Sequence, residues 1–187
     1  MYNLRKMFVM LSLGFGSGLP YILLISTTSA WLRDVGVELS LIGFFAWITF
    51  AYTIKFIWAP LVDRFSVPYF ARYGHRKSWI ALMQIIIISA LLLLSNIDPI
   101  QSFLFFCIVA GLIAFAGSFQ DIAIDAFWIE YAHVSDQGNL AAAYQLGYRL
   151  AIIAATSLAL IFADSNGWSM TYKFLAMLMC FGFLGVI

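Results

Sequence analysis

Two aspartates lie one helical turn apart in an apolar run of the sequence, FAGSFQDIAIDAFWIEYA, which spans residues 115–132. At 3.6 residues per turn, Asp121 and Asp125 fall about 40° apart on a helix, so they share one face. Glu130 falls on the opposite face, next to a polar connection, and we interpret it as interfacial. Two carboxyl groups placed in this way can bind a divalent cation, exchange a proton or pair with a basic side chain.

The composition around these aspartates is that of a polytopic membrane protein. Of the 187 residues, 64% are hydrophobic and 10% are charged, and a helix needs roughly 20 apolar residues to cross a bilayer core about 30 Å thick. No segment shows the alternation of a membrane barrel strand. We therefore predict an all-α membrane protein in which residues 1–187 form one bundle of six transmembrane helices. The predicted spans are about 7–32, 39–61, 79–97, 100–132, 141–163 and 169–187.

Basic residues indicate the orientation of these spans. Arg33 and Lys173 fall on one side of the membrane, and more cations fall on the other. The cations of that second side are Arg5, Lys6, Arg64, Arg72, Arg76 and Lys77. The positive-inside rule therefore predicts that the N-terminus and the basic loop 62–78 are cytoplasmic. The net charge of +1 gives no reason to expect a nucleic-acid partner.

Two further cations fall within the spans, at the depth of the aspartates. The fourth and fifth spans form an antiparallel hairpin, and counting residues from its turn places Arg149 between Asp121 and Asp125 in depth. Lys55 lies at about the same depth in the membrane. Buried charges of this kind usually pair and mark a substrate or proton path, so we predict an ion pair between Asp125 and Arg149 and an unpaired Lys55. The predicted pathway comprises Lys55, Gln120, Asp121, Asp125, Gln145, Tyr148 and Arg149.

The first span contains the run GFGSGLP, which brings several helix-weakening residues to mid-membrane. Gly14 and Gly18 form a face of small residues that allows close helix approach, and Gly16 lies between them. Pro20 removes one backbone hydrogen bond. We predict that these four residues serve helix packing or act as a hinge, because weakened helices at mid-bilayer are typical of secondary transporters.

An enzymatic interpretation of the aspartates is less favourable. The spacing G-x-x-x-D-x-x-x-D also occurs in the metal site of membrane CDP-alcohol phosphotransferases, but the D-x-x-D-G half of that signature is missing from this sequence. Lys55 and Arg149 would also compete with a metal for the carboxylates. The sequence therefore predicts no enzyme, no metal and no cofactor.

Several segments together resemble the AmpG-type muropeptide permeases of the major facilitator superfamily, a branch that includes acetyl-coenzyme A transporter relatives. The segments run in the family's order, from about residue 14 to 168. They are GFGSGLP through IKFIWAPLVDR (14–64), GHRKSW (74–79), QDIAIDAF (120–127) and YQLGYRL (144–150). The superfamily's cytoplasmic loop motif is partly kept, with Ala59 in place of its first glycine. The matching residues of that motif are Asp63, Arg64, Gly74, Arg76 and Lys77.

The resemblance implies a transporter of twelve helices in two bundles, of which this chain is the amino-terminal one and the carboxy-terminal one is absent. It implies proton-coupled import of N-acetylglucosamine–anhydro-N-acetylmuramic acid peptides across the bacterial inner membrane for cell-wall recycling. Lys55 and Arg149 suit the peptide carboxylates. Tyr52, Trp58 or Tyr148 suits the sugars, and Asp121 or Asp125 is the expected proton carrier. The implied partners are this sugar-peptide, protons, lipid and the missing half. Two alternatives stay open: a carrier of another anion such as acetyl-coenzyme A, and a non-transporting receptor or scaffold.

Overall fold

The computed structural model describes residues 4–65, 67, 74–132 and 136–186, and within these ranges it is built from helices without strands. This confirms the predicted all-α class. The α-helices are α1 Leu4–Ile22, α2 Thr28–Asp34, α3 Leu39–Ala46, α4 Phe50–Thr53, α5 Ala59–Arg64, α6 His75–Leu94, α7 Phe103–Tyr131, α8 Gln137–Ile153 and α9 Ala159–Phe183. A π-helical turn, Leu23–Thr27, joins α1 to α2, and a second one, Ala154–Leu158, joins α8 to α9.

Five helical stretches of the described residues are long and apolar enough to cross a membrane. They are Leu4–Asp34, Leu39–Ile57, His75–Leu94, Phe103–Tyr131 and Gln137–Phe183. The last has 47 residues, about 70 Å of helix, which is more than twice the thickness of a bilayer core. Gly167 interrupts it with a φ of 78° and a ψ of 164°, a conformation that only glycine adopts readily. The predicted spans 141–163 and 169–187 therefore correspond to the two sides of this bend.

The second predicted span, 39–61, is broken rather than continuous. Short 3₁₀ turns at Trp47–Thr49 and Lys55–Ile57 separate α3, α4 and α5. Pro60 lies in the first turn of α5, where its missing N–H is tolerated, whereas in a continuous helix it would have removed a bond to the preceding turn. As a result, Lys55 lies in a tight turn and not on a regular helix face.

The third span begins earlier than predicted. Gly74, with a φ of 95°, precedes α6, so Arg76 and Lys77 belong to the first turn of this helix and not to the loop. Basic side chains are tolerated at the end of a membrane helix because their charged groups can reach water. The middle of the predicted loop 62–78, including Arg72, lies outside the described residues.

Glycines let α1 and α8 pack backbone against backbone. A Cβ added at Gly14 would collide with the carbonyl oxygen of Tyr144, and one added at Gly147 would collide with the carbonyl oxygen of Leu11. A Cβ at Gly18 would lie 3.1 Å from both the ring and the carbonyl oxygen of Tyr148. This close contact fixes the positions of the α8 tyrosines relative to α1.

The two π-helical turns face each other beyond the C-terminal ends of α1 and α8. The hydroxyl of Thr27, in the first turn, donates a hydrogen bond to the backbone carbonyl of Ala155, in the second. Pro20 lies buried one turn before the first π-helical turn. Wide turns of this kind are rare and often occur at functional sites.

Candidate functional site

An ion pair joins the broken second span to α7. The Nζ atom of Lys55 lies 3.2 Å from Oδ2 of Asp125, and the two side chains are 37% and 60% exposed. The prediction that Asp125 pairs with Arg149 is therefore wrong in its partner, and so is the prediction that Lys55 is unpaired. Arg149 lies exposed on α8. Counting residues from the turn estimated its depth but could not determine the direction in which its side chain points.

Asp121 is held by a hydroxyl group rather than by a cation. Ser17 of α1 donates a hydrogen bond of 2.6 Å from Oγ to Oδ1 of Asp121. The hydroxyl of Tyr144, on α8, donates one of 3.0 Å to Oγ of Ser17. Ser17 is only 2% exposed, so the three side chains form an interior chain of hydrogen bonds across three helices.

Sequence reasoning missed Ser17 and Tyr144. Both stand in the segments that carry the family resemblance, GFGSGLP and YQLGYRL. The available signal was the single hydroxyl among the glycines of the first segment. A buried hydroxyl needs a hydrogen-bond partner, and a search for one at the depth of Ser17 points to Asp121.

Two cavities lie on either side of these interactions. The first, named here the Lys55 cavity, has a volume of about 290 Å³ and is lined by Tyr21, Thr49, Tyr52, Thr53, Lys55, Asp121 and Tyr148. The second, the Tyr144 cavity, has a volume of about 240 Å³ and is lined by Met10, Ile124, Asp125, Trp128, Ala141, Tyr144 and Gln145. The Lys55–Asp125 ion pair links the wall of one cavity to the wall of the other.

The Lys55 cavity combines groups that bind polar ligands. It offers one ammonium group, one carboxyl group, three tyrosine rings and two threonine hydroxyls. The cation can bind a ligand carboxylate or phosphate, and the aromatic rings can pack against sugar faces while the hydroxyls of Tyr21 and Tyr148 bond ring substituents. Gly117 leaves the space that the ring of Tyr52 fills, because a Cβ there would collide with the tyrosine hydroxyl.

The other predicted pathway residues lie in different places. Tyr148 lines the Lys55 cavity and Gln145 the Tyr144 cavity. Gln120 lines neither of the two cavities: it is fully buried, and its amide atoms have no hydrogen-bond partner among the described residues. A Cβ added at Gly16 would lie 3.4 Å from Nε2 of Gln120 and 2.9 Å from Nε2 of Gln84. Gln120 therefore points into the packed interior between helices.

The residues of the predicted loop motif meet at one end of the bundle. Nη1 of Arg76 lies 2.5 Å from Oδ1 of Asp63, and Nε of Arg76 lies 3.1 Å from Oε1 of Glu130. Lys77 donates a hydrogen bond of 2.8 Å to the carbonyl oxygen of Val186. Arg64 ends α5 and is exposed. These contacts tie α5, α6 and α7 together.

The charged groups do not assemble a recognisable metal centre. Across the part of the chain that the structure describes, no three His, Cys, Asp or Glu side chains come together as ligands. The carboxyl groups of Asp121 and Asp125 instead face a hydroxyl and an ammonium group, respectively. The arrangement is suited to binding an anion and exchanging a proton.

Comparison with known proteins identifies the family. The profile of the family described as Acetyl-coenzyme A transporter 1 matches residues 6–106, more than half of the 187 residues. The chain belongs to this acetyl-coenzyme A transporter 1 family. The matched region covers α1 through the broken second span, α6 and the start of α7, so it includes Ser17 and Lys55. Together with its apolar helical stretches, this membership makes the chain a multi-pass membrane protein of a transporter family.

Curated proteins that are similar to this chain include AmpG transporters and an anhydromuropeptide permease. The chain is 33% identical to "Putative transporter AmpG 4" of Rickettsia conorii over 179 residues, and 34% identical to the protein of the same name in Rickettsia felis over 181 residues. It is 36% identical over 172 residues to the "Anhydromuropeptide permease" of Escherichia coli strain K12. The predicted resemblance to AmpG-type permeases is thereby confirmed.

These alignments cover most of this chain but only part of each relative. The two rickettsial alignments cover 95% of the chain and 42% of the relative, and the Escherichia coli alignment covers 91% and 34%. The chain thus spans about two fifths or less of the length of these relatives.

Proposed function

We propose that this chain forms one six-helix bundle of a proton-coupled secondary transporter of the major facilitator type, and that it has no enzymatic activity. The proposed carrier imports anhydro-muropeptides, that is, N-acetylglucosamine–anhydro-N-acetylmuramic acid peptides, across a bacterial inner membrane for cell-wall recycling. A second bundle completes the binding site, since sites of this class lie between repeats near the bilayer midplane.

The Lys55 cavity is the observation on which this proposal mainly rests. It places one cation and three tyrosine rings beside Asp121, a carboxyl group that has one hydroxyl partner, Ser17, and no salt bridge among the described residues. A sugar-peptide needs a cation for its carboxylates and aromatic surfaces for its sugar rings. Asp121 is the proposed proton carrier because an intramembrane carboxyl group without a paired cation is tolerated best when it can take up a proton.

Arg149 is proposed to assist Lys55 in binding the ligand. It is exposed and adjoins Tyr148, which lines the Lys55 cavity. It can supply a second cation for a ligand that extends from the cavity along α8. A second candidate substrate is acetyl-coenzyme A. The family description names it, and as an anion it needs cations in its binding site just as a sugar-peptide does.

The cytoplasmic location of the N-terminus is likewise proposed. The structure supports it by bringing cations of separate segments to one end of the bundle. Nζ of Lys6 lies 5.1 Å above the ring of Tyr131, and Arg76 bonds Glu130, the preceding residue. Cations gathered at one end favour the cytoplasmic side of an inner membrane.

The complete carrier is expected to accumulate labelled anhydro-muropeptide in vesicles only when an inward proton gradient is imposed. The 187-residue chain alone is expected to show no saturable uptake, because it offers one side of the site. Uptake is measured for both proteins with and without the gradient, and acetyl-coenzyme A serves as competitor. Gradient-driven uptake by the chain alone would contradict the one-bundle proposal. Uptake of acetyl-coenzyme A alone would favour the second candidate substrate. If neither solute is taken up, the result would favour a receptor or scaffold.

Lys55→Met in the complete carrier is expected to weaken substrate binding by about 10- to 100-fold, the range for losing a hydrogen bond to a charged group. The substitution keeps the apolar stem and removes the ammonium group that faces both the cavity and Asp125. Lys173→Met is the matched control, since Lys173 is exposed on α9. Equilibrium binding is the measurement, and equal affinities for the two variants would remove Lys55 from the binding site.

A further inference from the structure

The hydroxyl groups between the two cavities form a continuous path for a proton. Asp121 lines the Lys55 cavity, and Tyr144 lines the Tyr144 cavity. Ser17 bridges them, because its hydroxyl donates to the carboxyl of Asp121 at 2.6 Å and accepts from the hydroxyl of Tyr144 at 3.0 Å. Each hydroxyl in this chain can donate one proton and accept another.

The two cavities lie at different depths along the bundle. On α1, Met10 lines the Tyr144 cavity and Tyr21 lines the Lys55 cavity; on α8 the two linings are offset by one turn, Tyr144 against Tyr148, a rise of about 6 Å. The Tyr144 cavity is the one closer to the N-terminal end of α1. A proton that passes through Ser17 thus moves between two cavities that are offset along the helix axes.

We propose that Ser17 and Tyr144 are relay residues that carry protons between the carboxyl group of Asp121 and the Tyr144 cavity. The proposal rests on the proposed function, in which Asp121 is the proton carrier, and adds a route for the proton that is separate from the ligand-binding cavity. The proton leaves toward the N-terminal end of α1, whereas the ligand occupies the Lys55 cavity.

The transfer is balanced at each step. When Asp121 is ionised, Ser17 gives its hydroxyl proton to the carboxylate and takes the hydroxyl proton of Tyr144. Tyr144 takes a proton from a hydronium ion that enters its cavity from the solution, which leaves a neutral water molecule. Both hydroxyls are neutral afterwards, and one net proton has reached Asp121; release runs through the same bonds in reverse. No oxidant, reductant or other group is required.

Among the described residues, the charged and titratable groups around Asp121 offer no second hydrogen-bonded route to the Tyr144 cavity. The charged groups near it are Lys55 and Asp125, which are engaged with each other, and the other titratable groups are the phenols of Tyr21, Tyr52, Tyr144 and Tyr148. The hydroxyl of Tyr52 has no partner among the described residues and packs against Gly117. Of these phenols, Tyr144 is the one that connects Asp121, through Ser17, to the other cavity.

The rate at which Asp121 takes up a proton from the N-terminal side tests the relay. The 187-residue chain carries an N-terminal tag and is placed in lipid vesicles, and those with the tag outside are isolated on an affinity resin. A rapid pH jump in the outer solution is followed by infrared spectroscopy of carboxyl groups. The band of Asp121 is identified by its loss in Asp121→Asn. No substrate is present, so the result does not depend on which solute the carrier transports.

Ser17→Ala and Tyr144→Phe are each expected to slow protonation of Asp121 by roughly 100-fold, the lower end of what a positioned proton donor contributes. Wild type is expected to show a solvent deuterium isotope effect that both variants lose. Ser12→Ala is one control, since Ser12 is a fully buried serine of α1 whose hydroxyl has no partner among the described residues. Tyr172→Phe is the other, since its hydroxyl lies 2.7 Å from that of Thr28, away from the site.

Each outcome of this experiment either supports or overturns the proposed relay. Slow protonation in the two relay variants, with both controls at the wild-type rate, supports the proposal. Wild-type rates in Ser17→Ala and Tyr144→Phe overturn it, and so does equal slowing in all four variants, because that would reflect packing alone. Circular dichroism establishes that each variant is folded, and if Ser17→Ala is not, Tyr144→Phe decides alone.

Discussion

Asp121→Asn in the complete carrier is expected to abolish accumulation of substrate against a gradient while substrate binding is retained. Asparagine has nearly the same shape as aspartic acid and its amide oxygen can still accept the hydrogen bond from Ser17, but it cannot take up a proton. The steady-state ratio of internal to external substrate should fall from a value well above one to one. Equilibrium binding and proton-driven uptake are measured on the same preparation.

Asp125→Asn is the matched control for this prediction, because it changes the neighbouring carboxyl group on the same helix. Asp125 forms the ion pair with Lys55, so its replacement releases the cation and is expected to alter affinity while proton-driven accumulation persists. If Asp125→Asn abolishes accumulation and Asp121→Asn does not, Asp125 is the proton carrier instead.

Gly147→Ala is expected to destabilise the bundle strongly. Its Cβ would collide with the carbonyl oxygen of Leu11 and lie 3.0 Å from the backbone nitrogen of Phe15, so two helix backbones must separate. Overpacking a tight interior typically costs about 1–3 kcal/mol, and backbone atoms cannot rotate away as side chains can. We expect a value at or above the top of that range, measured as the free energy of unfolding in detergent micelles.

Gly111→Ala supplies the matched control, because a Cβ at Gly111 would meet no described atom within 4 Å. Alanine is favoured over glycine in a helix by roughly 0.5–1 kcal/mol, so this variant is expected to match wild type or to be more stable. Equal stabilities of the two variants would show that α1 and α8 are not held by the close contact at Gly147.

The sequence predicted the all-α membrane class correctly, because the length and hydrophobicity of a membrane span are local properties. It also predicted correctly that Lys55 and Asp125 lie at one depth. It failed on the ion pair, because residue counting gives depth and not direction, and Pro60 with the adjoining 3₁₀ turns moves Lys55 off a regular helix. Gln120 was assigned to the pathway for its polarity, yet its direction depends on helix rotation, which no local pattern reveals.

The π-helical turns at Leu23–Thr27 and Ala154–Leu158 make the lengths of two helices interdependent. Each turn accommodates one residue more than an α-helical turn would, and the two face each other through the bond from Thr27 to Ala155. Losing that residue from one helix alone would rotate everything beyond it by about 100° and carry Trp31 away from Tyr172. Insertions and deletions in this family should consequently occur in both helices together or in neither, a constraint on evolution that acts on backbone register and leaves side-chain identity free.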